Sequence, residues 1–354
     1  MNTFRIALFP GDGIGPEVMR EAVRVLAAVE ELDGSFRLDT TGFPWGTDHY
    51  LQHGHVVPDN FLEILCSFDA VFLGALGDPA RVPDHIMLNP LMGMRQGFDQ
   101  YVSLRPCRLF AGIPSPLASP GKIDFVVVRE NSEGEYAICG GRFKQNFPEE
   151  VAIQTAIHTR KGIERILRFG FNLAMQRRRK LTMITKSNAL KFGMTLWDEV
   201  LEQFRAEFPE VEADRQHADF AAMDFVRRPQ RFDVVVASNL FGDILSDLGA
   251  AIIGGIGLAP SANINPDRQF PSLFEPVHGS APDIVGKGIA NPVAQILSGA
   301  AMLEWLGATR GAQIIRQAVD QALEAGAKTP DLGGSLTTTE MADRILHELQ
   351  AAGA

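Results

Sequence analysis

The chain has 354 residues, long for a single compact core, and its 45% hydrophobic and 21% charged residues are those of an ordinary globular protein. A formal net charge of −10 excludes the basic surface that displaces counterions from nucleic acid, so no nucleic-acid partner is expected. No apolar run approaches the roughly 18–20 residues that cross a bilayer, so no membrane partner is expected.

Phe4–Phe9 is a short apolar run ending in Pro-Gly and reads as a strand rather than a signal peptide. Glu17–Glu31 then puts Val18, Ala22, Val25, Leu26 and Val29 on one helical face. Ala70–Leu73, Asp124–Val128, Leu181–Ile184 and Asp233–Val236 read as further strands. The Val-Val-Val in two of them suggests burial on both faces. Helices are expected over 162–176, 195–207, 240–252 and 292–307. The proline-rich stretch 112–120 reads as a loop, as does 263–271. The alternation indicates the α/β class. Cys66, Cys107 and Cys139 form no CxxC, so neither a disulfide framework nor a zinc site is indicated, and a cytoplasmic location is expected. The basic cluster Arg177–Lys180 falls where a helix should end and complements its dipole.

Gly11-Asp-Gly-Ile-Gly15 follows a strand and precedes a helix, but the third glycine of a dinucleotide fingerprint falls on Pro16. Proline suits the first helical turn, so a tight glycine turn is the simpler reading. Asp243 and Asp247 lie four apart in Asn239-Leu-Phe-Gly-Asp-Ile-Leu-Ser-Asp247, hence on one helical face in an otherwise apolar stretch. Either they share a hard divalent cation, or Asp243 complements a helix N-terminus while Asp247 faces water. Arg95, Arg105 and Arg129 could clasp carboxylates in two-pronged hydrogen bonds, or each could sit in a structural ion pair. Arg129 stands out because Glu130, Glu133 and Glu135 crowd beside it. Tyr136 and Lys186 could be acid and base, lysine only with a lowered pKa. Phe274–Asp283, rich in glycine and proline, reads as a loop in which His278 could offer an aromatic-sized face and Asp283 could accept two ribose hydroxyls, or in which His278 is simply solvated, as a lone loop histidine usually is.

Taken in order, these motifs resemble those of the β-decarboxylating dehydrogenases, the isocitrate/isopropylmalate dehydrogenase family. The likeness runs from Gly11 through Thr329-Pro-Asp-Leu-Gly-Gly-Ser-Leu-Thr337, nearly the whole chain. It implies two α/β lobes sharing a continuous mixed sheet, not a Rossmann fold. Residues 1–102 with 256–354 would form the first, cofactor-binding lobe, and 103–255 the second, holding the dimer contacts, metal and catalytic residues. It implies NAD and Mn²⁺ or Mg²⁺ as cofactors, with K⁺ sometimes required as well. Arg95, Arg105 and Arg129 match substrate-carboxylate arginines, Tyr136 the general acid and Lys186 the general base. Asp219, Asp243 and Asp247 match the metal aspartates. Glu275, His278, Gly279, Ser280, Ala281, Asp283, Ala290 and Asn291 match the cofactor segment, where an anionic Asp283 favours NAD by repelling a 2′-phosphate. Homodimers are implied, with Lys186 and Asp219 reaching the partner's site.

Val82-Pro-Asp-His85, Phe98-Asp-Gln-Tyr-Val102 and Gly140-Gly-Arg142 are most similar to the tartrate/D-malate members. Isopropylmalate relatives usually hold a glutamate where this chain has Leu88, and isocitrate relatives place a serine and an asparagine for a third carboxylate where it has Asn89 and Leu91. With Leu88, Leu91 and Met92 in this stretch, a third charged arm is poorly received. D-malate, going to pyruvate and CO2, is therefore the expected substrate, with tartrate related and 3-isopropylmalate the alternative that Leu91 and Met92 keep open. Asp219 is followed by Phe-Ala-Ala-Met and Tyr136 by Ala-Ile-Cys, departures from the tartrate/D-malate pattern. A non-catalytic regulatory homologue is a remote alternative, since such relatives lose a metal aspartate, the lysine or the tyrosine, and all are present.

Overall fold

A computed structural model describes residues 2–353. The chain divides into two compact units. The first holds the residues up to Gln100, Arg108–Ser119 and those from Ala250 onward; the second holds Tyr101–Cys107 and Pro120–Gly249. Residues 108–119, expected with the middle of the chain, thus fall with its two ends.

In the first unit the strand order is Phe36–Gly42, Asn2–Gly11, Ala70–Ala75, Ser272–Pro276, Pro260–Ile264. Pairing is parallel except between the last two, which are antiparallel. Every side chain of Ala70–Ala75 is buried, as a short apolar run flanked on both sides requires. Helix Gly15–Asp33 starts with proline in its first turn and ends where Gly34 takes the left-handed conformation (φ 66°). Its Val18, Ala22, Val25, Leu26 and Val29 are buried, the face its periodicity marks.

In the second unit the order is Val102–Arg108, Asp124–Glu130, Val234–Ala237, Lys180–Thr185, Glu212–His217, the last four parallel. Val126–Val128 and Val234–Val236 lie side by side and are buried. Helices Arg160–Gln176 and Gly193–Glu207 each bury one apolar stripe. Thr159 caps the former, its side chain accepting from the Gly162 amide at 2.9 Å. A separate hairpin pairs Gly140–Phe143 with Val151–Gln154, and all eight residues are exposed.

Three local expectations change. Strand Ser272–Pro276 takes the start of the stretch read as a loop, because alternation there is hidden by full burial. Strand Pro260–Ile264 likewise takes Asn263, whose amide donates to Glu275 across the antiparallel pair. Arg177 and Arg178 do more than meet a helix end: they donate to Asp233, and Arg177 also to the Asp124 carboxylate, tying the starts of two strands together. Among the described residues no helix is long and apolar enough to cross a membrane, and the three cysteines are free thiols.

Candidate active site

The parallel strands of the second unit deliver their functional side chains at one end. Arg129 is near the carboxyl end of Asp124–Glu130 and pairs in register with Ala237, the last residue of its neighbour. Two residues on, helix Asn239–Ile252 begins. Its Asn239, Asp243, Ser246 and Asp247 recur at i, i+4, i+7 and i+8, one face of a helix. Arg129 donates from Nε (3.0 Å) and Nη2 (2.7 Å) to the Asn239 side-chain oxygen, and from Nη1 to Asp243. Arg105 donates from Nη1 to Ser246 Oγ at 2.8 Å and lies 3.1 and 3.3 Å from the carboxylates of Asp243 and Asp247. Gly242 makes this approach feasible, since a Cβ there would stand 2.7 Å from the Arg129 side chain.

Tyr136 enters from the turn after Arg129. Its hydroxyl donates to Asp243 Oδ2 at 2.8 Å, and the Arg129 guanidinium carbon stands 5.2 Å from its ring centre. The glutamates that crowd Arg129 in sequence do other work. Glu130 is buried, its carboxyl pushed up by that burial, and it accepts from the Ser132 and Glu133 amides. Glu133 accepts from Thr159 at the start of the next helix.

The two arginines are almost fully buried, whereas the Asp243 and Asp247 side chains are 32% and 61% exposed. Loss of water around Asp247 raises its pKa above the ordinary value, and Asp243 adds to this against the pull of Arg105. Arg105 Nε is buried without a hydrogen-bond partner. A buried guanidinium with one unsatisfied nitrogen, beside two carboxylates that reach solvent, marks the cluster as incomplete as it stands.

Lys186 and Asp219 form a second pair. Parallel register sets Thr185 against His217, so the residues that follow both strands emerge together. Lys186 Nζ donates to Asp219 Oδ1 at 2.8 Å, and this bond holds the Asp219 carboxyl below the usual range. Among the described residues no three His, Cys, Asp or Glu side chains are gathered for a metal ion. Within one chain, then, Asp219 does not join Asp243 and Asp247. The latter two do converge, since both approach the same Arg105 nitrogen. An all-oxygen donor pair aimed at one positive charge fits a hard divalent cation, provided a further ligand arrives from elsewhere.

The first unit holds the rest. Arg95, on helix Asn89–Gly97, pairs with the buried Glu275 at 3.2 Å, and Asn263 donates to the same carboxylate at 2.7 Å. Leu91 is buried in the core with Trp45 and Met94, Met92 packs against that core, and Leu88 is 42% exposed. The glycine turn is a tie rather than a phosphate cradle. Asp12 accepts from the Thr47 amide (2.7 Å) and the Gly77 amide (2.9 Å), and the Ile14 amide donates to Ser280 O at 2.9 Å. Gly13 has φ 59°, and a Cβ there would meet Ser280 O at 2.1 Å. The turn therefore anchors the segment carrying the candidate cofactor residues. Ala281 and Ile284 pack against Ile14, Val18 and Ala290. Gly279 and Asp283 are exposed. His278 is buried, which lowers its pKa and keeps it neutral; Nδ1 donates to Gly279 O at 2.9 Å and Nε2 has no partner. A buried, neutral, half-satisfied imidazole suits a base edge. Asn291 donates to Asp331 at 3.1 Å and accepts from the Val293 amide.

Three residues that hold the site escaped sequence reasoning. Asn239 and Ser246 orient the arginines, and their helical spacing with the aspartates is the signal that exposes them. Asp12 carries no such signal, because its partners are backbone amides distant in sequence.

A model of the isocitrate/isopropylmalate dehydrogenase family matches residues 5–345. The chain belongs to that family. It is 53% identical to the D-malate dehydrogenase [decarboxylating] of Escherichia coli, with 98% of each chain covered. It is 52% identical to the tartrate dehydrogenase/decarboxylase of Pseudomonas putida, over 97% of each. Among solved structures, the isocitrate dehydrogenase of Methylococcus capsulatus superposes with a TM-score of 0.87 at 39% identity, covering 99% of this chain and 100% of that one. The α/β architecture is thus that of this family, and the chain is an enzyme of the decarboxylating dehydrogenases.

Proposed function

We propose that the chain oxidises and decarboxylates D-malate to pyruvate and CO2, with NAD⁺ and Mn²⁺ or Mg²⁺, and acts on tartrate as a related substrate. The observation that carries the reading is the cluster of two buried arginines against two part-exposed aspartates, with Arg105 Nε unsatisfied. The Arg105 and Arg129 forks hold the substrate carboxylates, with Arg95 as the third arginine. Lys186 of the partner subunit takes the proton of the C2 hydroxyl. Tyr136, held by its hydrogen bond to Asp243, gives a proton to C3 once CO2 has left. The chemistry supplied by a divalent cation on Asp243, Asp247 and the partner's Asp219 is polarisation of the C2 oxygen, and that of NAD⁺ is acceptance of hydride from C2.

The cofactor pocket we assign to Glu275, His278–Ala281, Asp283, Ala290 and Asn291, supported by the open Nε2 of His278. Asp283 selects NAD⁺ over its 2′-phosphate by charge. Leu88, Leu91 and Met92 offer nothing to a third carboxylate, which supports a dicarboxylate over isocitrate. The malate- and tartrate-acting relatives support the small acid over 3-isopropylmalate.

A second copy of the chain completes the site. The hairpin Gly140–Phe143/Val151–Gln154 exposes Phe143 and Ile153 by 66% and 60%, and an isolated hairpin is marginal in water. Phe220 and Met223, on the helix that carries Asp219, are also exposed, as is Ile244 beside Asp243. Apolar surface next to incomplete metal half-sites supports a homodimer with shared sites. Untagged protein with NAD⁺ and Mn²⁺ should form NADH fastest with D-malate when scanned against tartrate, 3-isopropylmalate and isocitrate. Preference for 3-isopropylmalate would refute the substrate assignment, and no NADH with any of the four would refute the reaction.

A further inference from the structure

Three histidines stand apart from this machinery, on the surface of the first unit. His49 and His53 are four apart on helix Thr47–His53, so they share a face, and His55 follows the Gly54 cap. Their ring centres are 4.5 Å (His49–His53), 5.1 Å (His49–His55) and 6.0 Å (His53–His55) apart. Two imidazoles bound tetrahedrally to one ion, with a metal–nitrogen bond of about 2.1 Å, have centres about 5 Å apart. The three observed separations bracket that value.

One ring is already oriented. His49 Nδ1 lies 2.7 Å from His55 O, and a carbonyl can only accept, so Nδ1 carries the proton. The Nε2 lone pair is therefore free to ligate. A backbone carbonyl holding the other ring nitrogen is the usual support of a metal-binding histidine. His53 and His55 are exposed. The ligand atoms are not gathered as the rings stand, but exposed side chains change rotamer in picoseconds to nanoseconds.

We propose that His49, His53 and His55 form a surface site for a first-row transition ion of the Zn²⁺, Ni²⁺ or Cu²⁺ class. Imidazole nitrogens select such ions over Mg²⁺, the reverse of the oxygen donors at Asp243 and Asp247. The ion staples the end of the helix to the turn that follows. That helix begins at Thr47, whose amide is held by Asp12 of the glycine turn. The site thus stabilises an element tied to the cofactor-side loop, without entering the reaction.

The test uses the full-length untagged chain with excess Mg²⁺ to fill oxygen sites. Zn²⁺ binding is measured by competition with a coloured chelator, for wild type, His53→Ala and His55→Ala. We expect one Zn²⁺ per wild-type chain, weakened roughly tenfold or more in each variant. Zn²⁺ should raise the melting temperature of the wild type and not of the variants, whose melting without Zn²⁺ matches the wild type. Substoichiometric Cu²⁺ should show imidazole-nitrogen couplings in its electron paramagnetic resonance spectrum, fewer in His53→Ala. Equal Zn²⁺ affinity in all three proteins, or Cu²⁺ without imidazole nitrogen, would overturn the proposal.

Discussion

Two arginine–aspartate clusters of the second unit use the same chemistry to opposite ends. At Asp224, both carboxylate oxygens are saturated. Arg228 donates from Nε and Nη2, Arg231 from Nη1, and Gln216 adds a contact at 3.3 Å. The Asp224 side chain is 2% exposed, and although burial pushes its carboxyl up, the arginines outweigh this and hold it below the usual range. At Asp243 and Asp247 the exposure is reversed. There the arginines are buried, the carboxylates reach solvent, Asp247 is raised rather than lowered, and Arg105 Nε is unsatisfied. A closed cluster is a structural element; an unsatisfied one is the better candidate for a ligand site.

Substitution should separate the two most sharply. Asp243→Asn should lower turnover by roughly a hundred- to a thousandfold, because the proposed cation loses a charged ligand and the Tyr136 hydroxyl loses the carboxylate that holds it. Asp224→Asn should instead lower stability, by about 2 kcal/mol, because the buried carboxylate loses its charge-assisted hydrogen bonds to Arg228 and Arg231, while the folded fraction turns over normally. Urea titration and steady-state kinetics on both variants check this. Large stability loss at Asp243 with intact catalysis would erase the distinction.

The next effect concerns the open cluster alone. Tyr136→Phe should reduce steady-state turnover about a hundredfold, as loss of a general acid does, while single-turnover NADH formation falls much less. Equal losses in both would mean that the hydroxyl acts on hydride transfer and not on the later proton.

The smallest effect is in pH. Asp224 has a depressed folded-state pKa, so its stabilisation is fully present above its unfolded value of about 3.9 and is lost as pH falls through the lower folded value. The difference in melting temperature between wild type and Asp224→Asn should accordingly shrink as pH drops below that unfolded value. A gap that is constant with pH would show that the carboxylate charge is not what the arginines stabilise.

What the sequence made legible follows from where the signal lies. Apolar runs such as Val126–Val128 and the face of helix Gly15–Asp33 announce themselves by period and composition. Strand Glu212–His217 does not: Glu-Ala-Asp-Arg-Gln-His has no apolar alternation, yet its parallel pairing places Asp219 beside Lys186. The aspartate pair on helix Asn239–Ile252 was readable from spacing alone, but its arginine partners lie more than a hundred residues away, where no local pattern reaches. The expected role of Asp219 rests on family resemblance, and within one chain Asp219 and Lys186 bind each other instead of joining Asp243 and Asp247.

That division between two half-sites gives the most direct test. Two inactive chains are mixed, unfolded and refolded together: one carries Lys186→Met with Asp219→Asn, the other Asp243→Asn. If each site is assembled from two chains, mixed dimers contain one site with every wild-type residue, and NADH formation should return toward half the wild-type rate per mixed dimer. If the mixture stays as inactive as its parents although mixed dimers have formed, the two half-sites do not meet across subunits and the proposed arrangement is wrong.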